Sequence, residues 1–230
     1  MPDRPKQLAF DLPLDPRFGR EDFLVSPSNE RAYGLIERWP EWPDTILRLN
    51  GPRGSGKSHL AAIWATRAHA WTIDAAEVAG ERVPHLVSNG ALVIEDADRG
   101  ARDEAALFHL LNLARERSCF LLLTSAVPVD RWDLKTADLF SRLRLAPSAT
   151  LEPPDDALLK SVLVKLFLDR QLVVDTSVVD YLALRIERSL ARAGEVVAAL
   201  DREALSRGRR ITRVMAAELV EQGGAEDEGD

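Results

Sequence analysis

The stretch "TILRLNGPRGSGKSHLAAIWATRA", Thr45 to Ala68, decides the fold class. It has three parts in a fixed order. Residues 45–49 form a short apolar run that predicts a strand. Gly51, Gly56, Lys57 and Ser58 match the pattern G-x-x-x-x-G-K-[ST]. From Lys57 to Ala68 the pattern predicts a helix. Each residue type in the loop has a physical task. Gly51, Gly54 and Gly56, with Ser55 between them, let the backbone curl so that its N–H groups face a phosphate. The helix that follows presents its positive end to the same place. Lys57 adds a point charge for the outer phosphates, and Ser58 offers a hydroxyl to Mg²⁺.

Outward from that loop the chain reads as alternating strand and helix. "AWTID" (70–74), "ALVIE" (91–95) and "CFLLLTS" (119–125) are strand candidates, and 103–117 carries a helical apolar stripe. Continuous apolar strands imply burial on both faces, hence a parallel sheet between helices. After "EPPDD" (152–156) only helical patterns remain, at 157–169, 176–186, 189–206 and 212–221, with Thr176, Ser189 and Thr212 as N-caps. The expected architecture is a three-layer α/β/α phosphate-loop domain with a parallel sheet over residues 21–153, then a small all-helical lid over 154–222. An extended arm (1–20) precedes them, and an acidic, glycine-rich tail (223–230) follows and is expected to be disordered.

Acids that complete a phosphate site belong at the end of a neighbouring strand. "ALVIEDAD" supplies Glu95 and Asp96 there. Glu95, with Ser58, is the expected Mg²⁺ group, and Asp96 the acid that orients an attacking water. The order is unusual, because Asp ordinarily comes first, and this puts fast intrinsic hydrolysis in doubt. Thr124 and Ser125 end a buried strand and face the region where ligands gather. "DLFSRLRL" (138–145) is expected to place Arg142 and Arg144 after a short helix, where an arginine can act on a neighbour's phosphates. Arg192 opens a helix in the lid. Taken alone, each of these arginines reads as a solvated charge.

The totals narrow the classes further. The 230 residues are 46% hydrophobic and 29% charged, with a formal net charge of −7. A broadly basic nucleic-acid wrapper is excluded, though a local basic face is not. No apolar run is long enough for a membrane span, and the N-terminus lacks the core of a secretory signal. Cys119, the single cysteine, reads as a buried core thiol in a reducing compartment.

Taken together, the ordered segments resemble the DnaA family of AAA+ ATPases, from about Pro16 to Glu221. Within it they are most similar to the Hda-type regulators, which lack the DNA-binding domain. "DFLVSPSNERAY" (22–33) resembles the family segment that helps hold adenine, which makes Phe23 and Val25, with His59, cofactor-binding candidates. "ALVIEDAD", "LFHLLN" (107–112), "LLLTS" and "SRLRLAPSATLEPPD" follow in family order, and "SLARAGE" (189–195) resembles S-x-x-R-x-x-E. The resemblance implies that Arg142 is an arginine finger, Ser125 a sensor 1 residue and Arg192 a sensor 2 residue. The choice between Arg142 and Arg144 stays open. Glu95 for Asp and Ala126 for an acid depart from the family pattern. So does the short stretch before the acids, which argues against duplex opening.

The resemblance implies a negative regulator of replication initiation in the bacterial cytoplasm, associated with nucleoid and replisome. Such a chain binds ADP (or ATP) with Mg²⁺, docks on the DNA polymerase III beta sliding clamp and stimulates hydrolysis of DnaA-bound ATP. Its own ATPase is expected to be weak, its contact with DNA only indirect through the clamp, and its assembly into a homo-oligomer is left open. No helix-turn-helix segment follows the lid, so origin recognition is not expected. The alternatives are an AAA+ motor or helicase-loader-like factor that hydrolyses its own ATP, and a nucleotide-independent adaptor. Against this background "KQLAFDL" (6–12) gains meaning. Gln7, Leu8, Phe10 and Leu12 resemble the clamp-binding hexapeptide Q-L-x-L-x-L, an extended peptide that seats apolar side chains in a groove. The plainer alternative is a strand packed on its own domain.

Overall fold

The computed structural model describes residues 18–99 and 103–227, with side chains through Glu221. Five strands form one parallel sheet: β1 (Ile46–Asn50), β2 (Trp71–Asp74), β3 (Ala91–Glu95), β4 (Phe120–Ser125) and β5 (Ser148–Thr150). Their order is β2-β3-β4-β1-β5. The register runs Ile46 opposite Leu121 to Asn50 opposite Ser125, and Ala91 opposite Phe120 to Ile94 opposite Leu123. Side chains alternate across this sheet. Ile46, Leu92, Ile94, Leu121 and Leu123 face one side, where they pack with α3 (Val83–Leu86), α4 (Glu104–Glu116) and α5 (Ala137–Leu145). Leu47, Leu49, Ala91, Val93 and Leu122 face the other, against α1 (Glu30–Glu37) and α2 (Lys57–Ala68). The three-layer α/β/α arrangement and parallel sheet expected from the sequence are present.

All five strands are parallel, and β1 lies between β4 and β5. The connections that leave the neighbouring strands β1 and β4 go to opposite faces, through α2 and α5. A parallel sheet opens a crevice beyond its strand ends where the order reverses, so β1 delivers the phosphate loop into that crevice.

Several elements differ from expectation, each for a local reason. β5, α1 and the short helical turns between Ala75 and Asn89 were not expected. β5 is three residues of small or polar character, and pairing with β1 makes it a strand. Arg142 and Arg144 lie inside α5 instead of after a helix. Leu139 and Leu143, one turn apart and fully buried, carry that helix on to Leu145. The N-cap before Thr176 is Asp175, whose carboxylate accepts from Ser177 N. Ser189 caps its helix as expected, accepting from Arg192 N, and Thr212 accepts from Met215 N. Cys119 is fully buried, and burial pushes its thiol up to about 11, an inert core group.

The described residues divide into two compact units within α6 (Asp156–Asp169). The first runs from Phe18 to Leu158 and holds the sheet. The second runs from Leu159 onward and holds the rest of α6 with α7 (Thr176–Arg185), α8 (Leu190–Arg207) and α9 (Arg213–Asp227). Its core joins Leu163, Phe167, Leu182, Val197, Leu200 and Ala216.

Candidate functional site

The root of the phosphate loop is held between strands. Gly51 N donates to Ser125 O at 3.1 Å, and Leu151 N donates to Asn50 O at 2.8 Å. A Cβ at Gly51 would lie 2.5 Å from Leu151 O and 2.9 Å from Ser55 Oγ, so only glycine passes here. Gly54 and Gly56 take left-handed backbone, at φ 71° and 100°, and curl the loop into α2. Gly56 is the N-cap of α2 and supplies no side-chain cap, so the first amides of the helix point into the loop without an intrahelical acceptor.

Lys57 is only 7% exposed. Its Nζ donates to Gly51 O at 2.7 Å and Pro52 O at 2.9 Å. Burial pulls its ammonium below the ordinary lysine range, and the nearby Asp96, Asp98 and Glu95 oppose that pull in part. Ser55 Oγ is buried with no hydrogen-bond partner among the described residues. A glycine-only curl, an uncapped helix start, a buried lysine and an orphaned hydroxyl together fit a nucleotide polyphosphate.

The acids come next. Glu95 Oε2 accepts from Thr124 Oγ1, and also from Ser58 Oγ at 3.4 Å. The extra methylene of Glu, relative to Asp, is what lets this carboxylate reach across to α2. Mg²⁺ in such sites keeps waters and takes only one or two protein oxygens beside the phosphates, and Ser58 with Glu95 offers that set. Burial raises the Glu95 carboxyl, with the Thr124 hydrogen bond opposing. Asp96 sits at φ 50° and pairs with Arg99 at 3.4 Å. The turns after β3 and β4 are tied together. Asp96 N donates to Thr124 Oγ1 at 3.0 Å and Ala97 N to Thr124 O at 2.8 Å. Asp98 Oδ2 accepts from Ala126 N at 2.9 Å and Val127 N at 3.2 Å. Ser125 gives its hydroxyl to Asn50 Oδ1 at 2.9 Å.

Around the start of α2 lies an aromatic group. His59 Nε2 donates to Gly19 O at 2.9 Å, and Phe18 and Phe23 meet its ring edge-on at 5.3 and 5.2 Å. Phe23 also stacks on Tyr33 at 5.5 Å, whereas Val25 is exposed.

The two candidate fingers point to different surroundings. Arg144 Nε lies 3.8 Å from Asp130 Oδ1. The Arg142 guanidinium lies over the Phe108 ring at 4.9 Å, with no ion pair or hydrogen bond among the described residues. It lines an open depression of about 580 Å³ with Asp44, Phe108, Arg115, Asp138 and Leu145. Asp44 is committed to Arg115 at 2.8 Å.

The structure thus brings Gly51, Gly54, Ser55, Gly56, Lys57, Ser58, Glu95 and Asp96 together, with His59 and Phe23 beside them. Ser125 lies underneath, turned to Asn50. Arg142 is on α5 in the same unit. Arg192 is in the helical unit, where it pairs with Glu195 at 3.2 Å. Gln7, Leu8, Phe10 and Leu12 lie outside the described residues. Sequence reasoning missed Asn50, Asp98 and Phe108. For Asn50 a signal existed, since "ILRLN" puts polar Arg48 and Asn50 on one face of a buried strand.

A phosphate loop after β1, acids after β3 and this strand order define an AAA+-type α/β fold. No family model matches the sequence, and no curated protein does. Among solved structures the chain is similar to domain III of the Thermotoga maritima initiator DnaA (TM-score 0.78, 20% identity). That match covers 92% of this chain and 98% of the other. AMPPCP-bound DnaA from Aquifex aeolicus matches with TM-score 0.70 and 19% identity, over 94% of this chain and 71% of that one. The Thermotoga maritima RuvB branch migration motor gives 0.70 and 16%, over 89% and 72%. The fold is DnaA-like AAA+. Among the described residues no helix is long and apolar enough to cross a membrane.

Because the folded state raises the Glu95 carboxyl above its ordinary 4.5, it binds that proton more tightly than the unfolded chain does. The stabilisation is full below that ordinary value and is lost as pH rises through the folded one. Glu95→Gln, which stays neutral, is therefore expected to unfold at a higher temperature than the parent at pH 7. The difference should shrink towards pH 4. Thermal scans of nucleotide-free, EDTA-treated protein across this range check it.

Proposed function

We propose that the chain is a nucleotide-binding regulator of replication initiation of the Hda type. It holds ADP or ATP with Mg²⁺ on the 51–58 loop, docks on the DNA polymerase III sliding clamp and uses Arg142 to stimulate hydrolysis of DnaA-bound ATP. The observation that carries this reading is the state of Arg142. Its guanidinium is set over an aromatic face in an open depression and pairs with no carboxylate among the described residues. Arg144 is drawn towards Asp130 instead. An arginine presented in that way suits a phosphoryl group that arrives with another subunit, where charge stabilisation in trans raises hydrolysis by orders of magnitude.

The chain's own nucleotide serves mainly to organise the fold. The loop amides and the start of α2 bind phosphate, Lys57 adds positive charge, and Ser58 and Glu95 hold Mg²⁺, which when bound neutralises phosphate charge. His59, Phe23 and Tyr33 form the apolar wall beside the base. The likeness to DnaA supports nucleotide use, since that relative was solved with AMPPCP bound. The segment 7–12 is the proposed clamp tether.

Turnover of DnaA-bound ATP with this protein, clamp and DNA, each omitted in turn, tests the reading. Arg142→Ala is expected to retain folding, nucleotide binding and clamp binding while stimulation falls by about a thousandfold or more. Undiminished stimulation overturns the assignment.

Alanine at Gln7, Leu8 and Phe10 together should abolish clamp binding in a pull-down and leave ADP titration unchanged. Retained clamp binding by that variant removes the tether.

A second reading rests on the contact of Ser58 with Glu95 and on the likeness to the RuvB motor: the chain hydrolyses its own ATP. Steady turnover without any partner, lost in Lys57→Ala, would establish it. Absence of such turnover beside tight ADP binding favours the regulator.

A further inference from the structure

One buried charge has no part in the site described above. Arg48 is the middle residue of β1 and is only 5% exposed. Leu47 and Leu49 face α1 and α2, so Arg48 shares the opposite face with Ile46, against α4 and α5. A buried guanidinium is costly unless it is hydrogen-bonded and paired. Here Nη2 donates to Ala146 O at 3.1 Å, and Nε is buried with no partner among the described residues. The attraction of Asp130 offsets only part of the desolvation, and the guanidinium stays below its ordinary range. A leucine would suit this face better for stability alone.

The arginine suits a different task. Ala146 is the C-cap of α5, and its carbonyl belongs to the negative end of that helix. The backbone of Arg48 holds the next residue as well, with Arg48 N donating to Pro147 O at 2.9 Å. One residue of β1 thus grips two successive carbonyls just beyond α5. Arg142 lies one helical turn before Ala146, and Gly51 lies three residues after Arg48. The connection from the phosphate loop to the proposed finger is therefore very short, and the Arg48 side chain makes a hydrogen bond along it.

We infer that Arg48 is a positioning residue, fixing the carboxyl end of α5, and with it Arg142, to the strand that carries the phosphate loop. The inference rests on the reading of Arg142 as an arginine acting in trans. It separates two quantities that packing would move together. Without the Arg48 side chain the fold keeps its core and the backbone bond to Pro147 O, but the Ala146 carbonyl at the end of α5 loses its donor, and Arg142 no longer meets the phosphate at a fixed place.

The test uses the full chain with Arg48→Met, which removes the charge at similar volume, and Arg48→Lys, which keeps a donor. Stimulated turnover of DnaA-bound ATP is measured with clamp and DNA, together with thermal unfolding, ADP titration and amide hydrogen exchange over residues 137–147. For Arg48→Met the expected result is unfolding at the parental temperature or above, unchanged ADP affinity and an unchanged half-saturating concentration of DnaA. Maximal turnover should fall about ten- to a hundredfold, as misplacement of a reacting group does, and exchange at the end of α5 should rise. Arg48→Lys should restore most of both. Parental turnover and parental exchange in Arg48→Met overturn the inference, as does a lysine variant as impaired as the methionine one at equal stability. If Arg48→Met does not fold, Arg48→Lys decides: parental turnover supports the inference, and lowered turnover with parental exchange overturns it. Arg142→Ala is run beside them. Stimulation that survives in that variant sinks the trans-acting reading, whereas exchange in α5 still decides the role of Arg48.

Discussion

The constraint on which the rest depends is the crowding at Gly51. Three strands meet there: its amide is held by the end of β4, and a side chain would strike the residue after β5. A phosphate loop must keep several amides turned inward without intrahelical acceptors, and here its lysine is held by the loop's own carbonyls of Gly51 and Pro52. Such an arrangement persists only on a frame that cannot relax to satisfy them. The parallel sheet is that frame. Its inner strands β1, β3 and β4 are buried on both faces, and β1 has a neighbour on each side, so the loop starts from a fixed point.

The same economy of position appears at the ends of β3 and β4. Thr124 is fully buried, yet its hydroxyl and carbonyl take part in three contacts, to Glu95, Asp96 and Ala97. Asp98 takes two amides of the opposite turn. These ties make the two turns one rigid piece. The reversed order of the acids can be understood there. A glutamate at the metal position is long and mobile in isolation, but here one hydroxyl from β4 and one from α2 hold it. The neighbouring Asp96 is turned towards Arg99 and takes a left-handed backbone, which a short polar side chain tolerates.

How much of this was legible beforehand follows from the range of each interaction. β3 and α2 were readable to the residue, because an apolar run bounded by Asn89-Gly90 and a helix starting at Lys57 are local signals. β5 was not, because "SAT" has no strand character until β1 pairs with it. The position of Arg142 within α5 was misjudged for a similar reason: the two arginines masked the Leu139 and Leu143 pair that continues the helix. The loop residues of the site were legible, since a phosphate cradle is written in one short segment. Asp98 and Phe108 were not, since each acquires its task from a distant turn or a neighbouring helix, and Asn50 showed only as a polar residue on a buried strand, its partner Ser125 lying 75 residues on.

Arginines on and under α5 divide the tasks of one helix end among them. Three arginines lie near its carboxyl end, where positive charge suits the helix dipole. Each uses its guanidinium differently. Arg48 is buried and fastened to a backbone carbonyl, Arg144 faces Asp130 at the surface, and Arg142 rests on a ring. An arginine offers five donors in a rigid plane. A carboxylate or carbonyl uses some of them and must be left before a phosphate can bind. An aromatic face attracts the cation through its quadrupole and uses none. Only Arg142 is therefore both held in place and chemically available, a combination that an ordinary surface arginine lacks and that an arginine serving another molecule's phosphate requires.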